Sequence, residues 1–307
     1  MAFTAADVKN LRETTGVGMM DCKKALTEAD GDFDKAIEIL REKGLAASQK
    51  KAGRIAAEGM AYAASIDGVG VVVEVNAETD FVAKNEKFVD FVKGVAATIA
   101  ANKPADLDAL MECKYNGTDL TVTQQQQEMV LVIGENIKVR RFAIYTEGVS
   151  VPYIHAGGKI GVLVNMDTTA SAEAVEECGK NVCMQVAALK PQFTNRNEVS
   201  AEHIAHEKEI LLAQIMNDPK ESQKPAKVID GIVTGRINKE LKEICLLDQV
   251  YVKAEDGKQS VGKYVESVAK EVGAPIAVKS FVRFETGEGM EKREDDFAAE
   301  VAKQAGM

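Results

Sequence analysis

Histidine and cysteine are the side chains most often recruited for chemistry, and this chain holds few: His155, His203 and His206, with Cys22, Cys113, Cys178, Cys183 and Cys245. His203 and His206 stand three apart, flanked by Glu202 and Glu207. Such a set could ligate a metal from one helical face, and a metal hydrolase on His203, His206 and Glu207 is one reading. A solvated polar face is the other. His155 lies beside a turn in Tyr153-Ile154-His155-Ala156-Gly157-Gly158, where base, partner contact and simple exposure all stay open. No phosphate loop, G-x-G-x-x-G or H-E-x-x-H occurs, and no Ser or Cys has His and Asp beside it, so covalent catalysis is weakly signalled. The cysteines are odd in number without a C-x-x-C, which excludes a zinc ribbon and argues against a disulfide framework. Read as inert free thiols, they point to a reducing cytoplasm. Cys178 and Cys183, five apart in a helical pattern, are expected not to share a face.

The most pointed segment is Ala77-Glu78-Thr79-Asp80-Phe81-Val82-Ala83-Lys84-Asn85, which leaves a buried strand and enters a helix. Asp80 could cap that helix and Phe81 fill the core, or both could face a partner. Met19 and Met20, next to Gly18, read equally as core filling or as an adaptable exposed contact.

The elements that must position these residues follow from periodicity. Residues 1–44 read as three helices: Thr4 with Asp7 opens the first, Thr14 to Gly18 breaks it, Asp32 caps the third, and Gly44 is placed at its C′ position. Residues 45–57 are small and basic, as in a linker. Strand periodicity then gives a hairpin, Glu58–Ile66 and Val69–Asn76, about Asp67-Gly68. A helix carries Phe88, Phe91, Val92, Val95 and Ile99, a second covers Gln124–Ile133, and a strand spans Ile137–Tyr145.

The pattern repeats. Tyr62 and Gly70-Val71-Val72-Val73 recur 91 residues later as Tyr153 and Gly161-Val162-Leu163-Val164. Ile133-Gly134, Ile137-x-Val139 and Phe142 recur 139 later as Val272-Gly273, Ile276-x-Val278 and Phe281. The second half therefore carries an insertion of 48 residues, seen as two apolar-striped helices after Ser200 and Pro225. They form an antiparallel, coiled-coil-like hairpin that buries little alone and so invites a protein partner. A helix from Ser260, a strand Ile276–Phe284 and a terminal amphipathic helix Met290–Met307 complete the chain.

Composition narrows the function. The 307 residues carry a formal charge of −10 and no Trp, which disfavours direct nucleic-acid binding. Residues 1–54 hold ten Lys/Arg against nine Asp/Glu, so an RNA- or ribosome-bound scaffold using that unit lacks a basic field. No apolar run approaches the ~18 residues of a membrane span. The start has neither a basic nor an apolar signal region, so no secretory leader is expected.

Thr79-Asp80-Phe81-Val82-Ala83-Lys84-Asn85 and Leu11-Arg12-x-x-Thr15-Gly16-x-Gly18-Met19-Met20-Asp21-Cys22-Lys23-Lys24-Ala25-Leu26 closely resemble signatures of the bacterial elongation factor Ts family. Ile133-Gly134-Glu135-Asn136-Ile137, Tyr153-x-His155, Gly161-Val162-Leu163-Val164 and Phe284-Glu285-x-Gly287-Glu288-Gly289 fit the same family. The resemblance implies an α+β fold: a ubiquitin-associated-like three-helix domain with its linker (1–54), a duplicated core (55–148; 149–187 with 238–286), an inserted dimerisation-type hairpin (188–237) and a C-terminal helical module (287–307). It implies guanine-nucleotide exchange on elongation factor Tu, bound with GDP and nucleotide-free, with no cofactor, metal or covalent chemistry of its own. Thr79, Asp80, Phe81, Val82 and Ala83 would disturb the partner's Mg²⁺ site. Arg12, Met19, Met20, Gly134, Glu135, Asn136 and His155 would supply other contacts. Family members differ in whether the hairpin pairs two copies.

Overall fold

The computed structural model describes residues 3–291; the expected terminal helix, beyond Met290 and Glu291, lies outside them. Three helices open the chain: α1 (Ala5–Thr15), α2 (Met19–Glu28) and α3 (Phe33–Lys51). Thr4 and Asp7 form the expected capping box, and Asp32 caps α3. The bundle closes over Leu11, Cys22, Ala25, Leu26 and Leu40.

The expected C′ role of Gly44 is overturned. α3 runs straight through it to Lys51 and absorbs half of the expected linker. The reason is close approach. A Cβ on Gly44 would lie 3.2 Å from the Gln127 carbonyl oxygen, so the missing side chain lets α3 seat on helix 122–133. Leu131 and Val132 of that helix pack against the three-helix core, Arg41 pairs with Glu128 at 3.4 Å, and Lys87 Nζ donates to the Gly16 carbonyl at 3.2 Å. The N-terminal unit is docked on the rest.

The first core unit runs β1 (Glu58–Ile66), β2 (Val69–Ala77), α4 (Asp80–Ala83), α5 (Glu86–Asn102), α6 (Leu107–Glu112), α7 (Val122–Ile133) and β3 (Lys138–Tyr145). The second runs β4 (Val149–His155), β5 (Ile160–Thr168), α8 (Ala172–Leu189), the hairpin α9 (Ala201–Asn217) and α10 (Ala226–Ile244), then α11 (Val261–Val272) and β6 (Ile276–Glu285). Helix α10 continues past residue 237, where the hairpin was expected to end. The fold is α+β, with two antiparallel three-stranded sheets ordered β1-β2-β3 and β4-β5-β6.

The duplication is visible in the register. Phe142 pairs with Val73, and Phe281 with Val164. Each central strand has an irregularity at the same place, Glu74/Val75 and Asn165/Met166. Helices α7 and α11 correspond residue for residue and end on left-handed Gly134 and Gly273. The two hairpins differ: Tyr62 faces Val73, whereas Tyr153 faces Val162. That slip of two residues preserves which face each side chain takes.

One face of each sheet is covered by its own helices. Val71, Val73 and Val75 pack on Phe88, Phe91, Val95 and Ile99; Val162, Val164 and Met166 pack on Val175, Val182 and Val265. The opposite faces meet through Ala63, Val72, Leu163, Val282 and Phe284, so β2 is buried along its whole length. Cys178 and Cys183 both lie in the second core without sharing a face, because strands on one side and α11 on the other cover a wide arc of α8. Burial pushes the Cys178 thiol up to about 11 and the Cys183 thiol to about 12, so both stay protonated and unreactive.

Glu74, fully buried between the sheets, clamps them. Its carboxylate accepts from Arg140 at 3.0 Å, Arg141 at 2.6 Å, Asn76 at 3.1 Å and the Gly287 amide at 2.8 Å. Burial alone would raise its pKa; the Gly287 amide, Arg141, Asn76 and Arg140 together outweigh it and hold the carboxyl below the ordinary range. Gly287 has φ 71° and a Cβ there would lie 2.1 Å from the Ala57 carbonyl oxygen, so only glycine delivers that amide.

Candidate functional site

The segment after β2 folds as two consecutive caps. Thr79 has extended backbone, and its Oγ1 accepts from the Val82 amide at 3.4 Å, opening the one-turn helix α4. Asn85 then caps α5 through the Lys87 amide at 3.0 Å. Asp80 caps neither helix, which removes the capping reading. Thr79 and Asn85 are also N-cap types and take the role because the chain is extended at those two positions. Asp80 is instead the first residue of α4, exposed, with Lys84 Nζ at 2.9 Å; that hydrogen bond holds its carboxyl below its usual value.

Phe81 overturns the core-filling reading. Its side chain is 79% exposed, whereas its neighbour Val82 is buried in the first core. One residue anchors the turn and the next is thrust outward. Met19 and Met20 are exposed as well, which removes core filling as their role.

Two carboxylates brace this turn reciprocally. Glu135 accepts from the amides of Glu78 and Thr79, both at 3.0 Å, and from the Thr79 hydroxyl at 2.7 Å. Glu78 accepts in return from the Asn136 amide at 2.6 Å and pairs with Arg54 at 3.4 Å. Asn136 Nδ2 donates to the Arg54 carbonyl at 2.9 Å. Asn136 is buried and Gly134 is the left-handed cap of α7. The Gly134-Glu135-Asn136 triplet thus holds the Thr79–Ala83 turn from behind. The sequence pointed to this triplet as contact surface; its bracing role is set by partners 56 to 58 residues away.

Lys87 was not singled out from the sequence. It borders a groove with Phe81, Val82, Asn85 and Val132, and a second groove with Arg12, Gly16 and Met19. Arg12, Met19 and Phe81 therefore flank one lysine on one side of the molecule. His155 lines neither groove; it is exposed at the end of β4, its Nδ1 at 3.0 Å from the Tyr153 hydroxyl. The arrangement is an exposed aromatic and two exposed methionines on a braced scaffold, a surface suited to contact with a macromolecule.

Known proteins match this chain over nearly its whole length. A family model described as elongation factor TS matches residues 78–288. The elongation factor Ts of Syntrophotalea carbinolica is 50% identical over 305 residues, covering 98% of this chain and 99% of that protein. That of Clostridium perfringens is 50% identical over 308 residues, covering 99% of each, and that of Clostridioides difficile 51% over 306, covering 98% of each.

Proposed function

The chain belongs to the elongation factor Ts family, and from that premise we propose that it is a guanine-nucleotide exchange factor for elongation factor Tu in the cytoplasm. It binds the GDP complex, disturbs the partner's Mg²⁺ site and promotes release of GDP so that GTP can enter, forming no covalent bond and holding no nucleotide itself. The observation that carries this reading is Phe81, exposed on a turn whose backbone is fixed by Glu135.

By linkage, a partner that prefers the nucleotide-free form weakens nucleotide binding by the same factor. A shift of ~10⁴ requires about 5.5 kcal/mol of differential affinity. Burying one phenyl ring contributes roughly 2 kcal/mol, so several contacts must act together. In this reading Asp80, Phe81 and Ala83 face the partner, while Thr79 and buried Val82 fix the turn. Arg12, Met19, Met20 and His155 add contacts, and Gly134, Glu135 and Asn136 act through the turn they brace. The division into a small N-terminal domain (1–54), two core subdomains, an inserted hairpin and a C-terminal module belongs to the proposal, as does a self-pairing role for the hairpin, whose Ile210, Met216 and Val228 are exposed.

The test is release of a fluorescent GDP from elongation factor Tu. Catalytic amounts of this protein should accelerate it. Unchanged release, or tight GDP binding by this chain alone, would refute the function.

A further inference from the structure

We propose that His203, Glu207 and Glu240 form a binding site for a divalent transition-metal ion at the root of the helical hairpin. His203 and Glu207 are one helical turn apart on α9, so they project from the same face. Glu240 reaches them from the last turns of the antiparallel α10. One ligand atom from each of the three lies within 4.8 Å of the other two. Around a tetrahedral ion with bonds of about 2.1 Å, ligand atoms sit about 3.4 Å apart, so small rotations of the two flexible glutamates close the site.

A second observation points the same way. His203 Nε2 is shielded from solvent and makes no hydrogen bond among the described residues. Glu240 Oε1, 3.7 Å away, is too distant to satisfy it. Buried ring nitrogens ordinarily have a partner, and a metal ion between this nitrogen and the two carboxylates would supply one. The ring is held by Phe193, edge-to-face at 6.2 Å between centroids, and its backbone amide by Ser200 Oγ at 3.1 Å.

The donor set fits the ion class. One neutral imidazole with two carboxylates carries a charge matched by a divalent cation. The imidazole favours zinc, cobalt or nickel over calcium or magnesium. Three protein ligands leave a fourth position for water. His206, paired with His203 by sequence spacing, is exposed and takes no part in the cluster. Occupancy would tie the first turns of α9 to the last turns of α10, fixing the hairpin where it leaves the core.

The test uses the full chain after treatment with a chelator, titrated with zinc by calorimetry and with cobalt by visible absorption. We expect one ion per chain and the intense cobalt bands of four-coordination. Outer-sphere changes alone cost 10–100-fold in metal affinity, so losing a ligand should cost at least about tenfold. His203→Ala and Glu240→Gln should each show that loss, and His206→Ala should bind as the parent does. Should His203→Ala melt early, Glu207→Gln removes a ligand while leaving the Phe193 contact intact. Absence of one-to-one binding would overturn the proposal. So would binding that survives both His203→Ala and Glu240→Gln, or binding lost equally in His206→Ala.

Discussion

The two halves of the core begin alike and diverge at one connection. After β2 the chain takes eight residues to reach α5; after β5 it takes three to reach α8. The longer link holds α4 and exposed Phe81, whereas the shorter is closed by a single cap, Ser171. The divergence has a counterpart one layer back. Where the first half has Gly134-Glu135-Asn136, the second has Gly273-Ala274-Pro275, which offers neither a carboxylate nor the asparagine amide. The brace exists only where there is a turn to brace. The same holds at the strand irregularities: Glu74 gathers two arginines, while its counterpart Asn165 donates one hydrogen bond to the Glu147 carbonyl at 2.9 Å. One half carries a braced turn with an exposed aromatic ring, and the other a plain connection and the helical hairpin.

The largest expected effect breaks the symmetry of the central strands. Glu74→Gln leaves Arg140 without its carboxylate and Arg141 with only Glu288 at 3.3 Å, and should destabilise the fold by about 3 kcal/mol, at the low end for a buried pair because the arginines are partly exposed. Asn165→Ala removes one neutral hydrogen bond and should cost about 1 kcal/mol. The sign with pH follows from the depressed carboxyl. Its contribution is present above the unfolded value near 4.3 and is lost as the pH falls through the lower folded value. Glu74→Gln should lose that part of the acid sensitivity. Denaturant midpoints across pH measure both, and equal midpoints for the two variants would dissolve the contrast.

Phe81→Ala comes next. A core phenylalanine truncated to alanine costs ~3–5 kcal/mol of stability. An exposed one should leave the melting temperature unchanged and lose its effect in exchange: about 2 kcal/mol of interface burial, or roughly thirtyfold. A destabilised variant with normal exchange per folded molecule would show that the turn is structural.

Glu135→Ala should be milder and diagnostic. Three donors lose their carboxylate, two of them backbone amides. With water able to take part of that load, the turn should loosen by about 1.4 kcal/mol, close to tenfold in exchange. Amide hydrogen exchange should rise at residues 79–82 while α5 and β2 keep their protection. Loss of protection throughout the first core would place Glu135 in the fold as a whole.

Local rules made much of this legible. The helix starts at Thr4, Asp32, Ser200 and Ser260 are set within a few residues of themselves, and the structure shows each as a cap; the helix-ending Gly134 and Gly273 prove left-handed. The repeat offsets matched Phe142 with Phe281, which take equivalent places in the two sheets, but the slip of two residues between the outer hairpins lay beyond them. What escaped was set by distant partners. Gly44 carries the same local signal whether it ends a helix or admits a neighbouring carbonyl, and only the docking of α7 decides. Thr79, Asp80 and Asn85 are all cap-forming types, so sequence could not choose among them. Glu135 and Glu74 find their partners across 56 and more residues. His203 looked paired with His206, yet the helix turn brings Glu207 beside it, and the hairpin brings Glu240.

The smallest expected effect separates the turn's geometry from its charge. Asp80 is exposed, and the side chain that pairs with it among the described residues is Lys84, also exposed. Such surface pairs add little to stability, so Asp80→Ala should melt with the parent protein, unlike a lost helix cap. Since Lys84 holds the carboxyl below its usual range, Asp80 is ionised throughout the neutral region and its action should not vary with pH there. If that charge acts on the partner's Mg²⁺ site, GDP release should slow in Asp80→Ala at saturating Mg²⁺ and approach the parent's rate as Mg²⁺ is withdrawn. Phe81→Ala, which removes apolar contact, should stay slow at both concentrations. Measuring the two variants side by side across a Mg²⁺ titration resolves the roles, because a deficit in Asp80→Ala that ignores Mg²⁺ would reduce the aspartate to a geometric part of α4 and leave the aromatic ring as the element that acts.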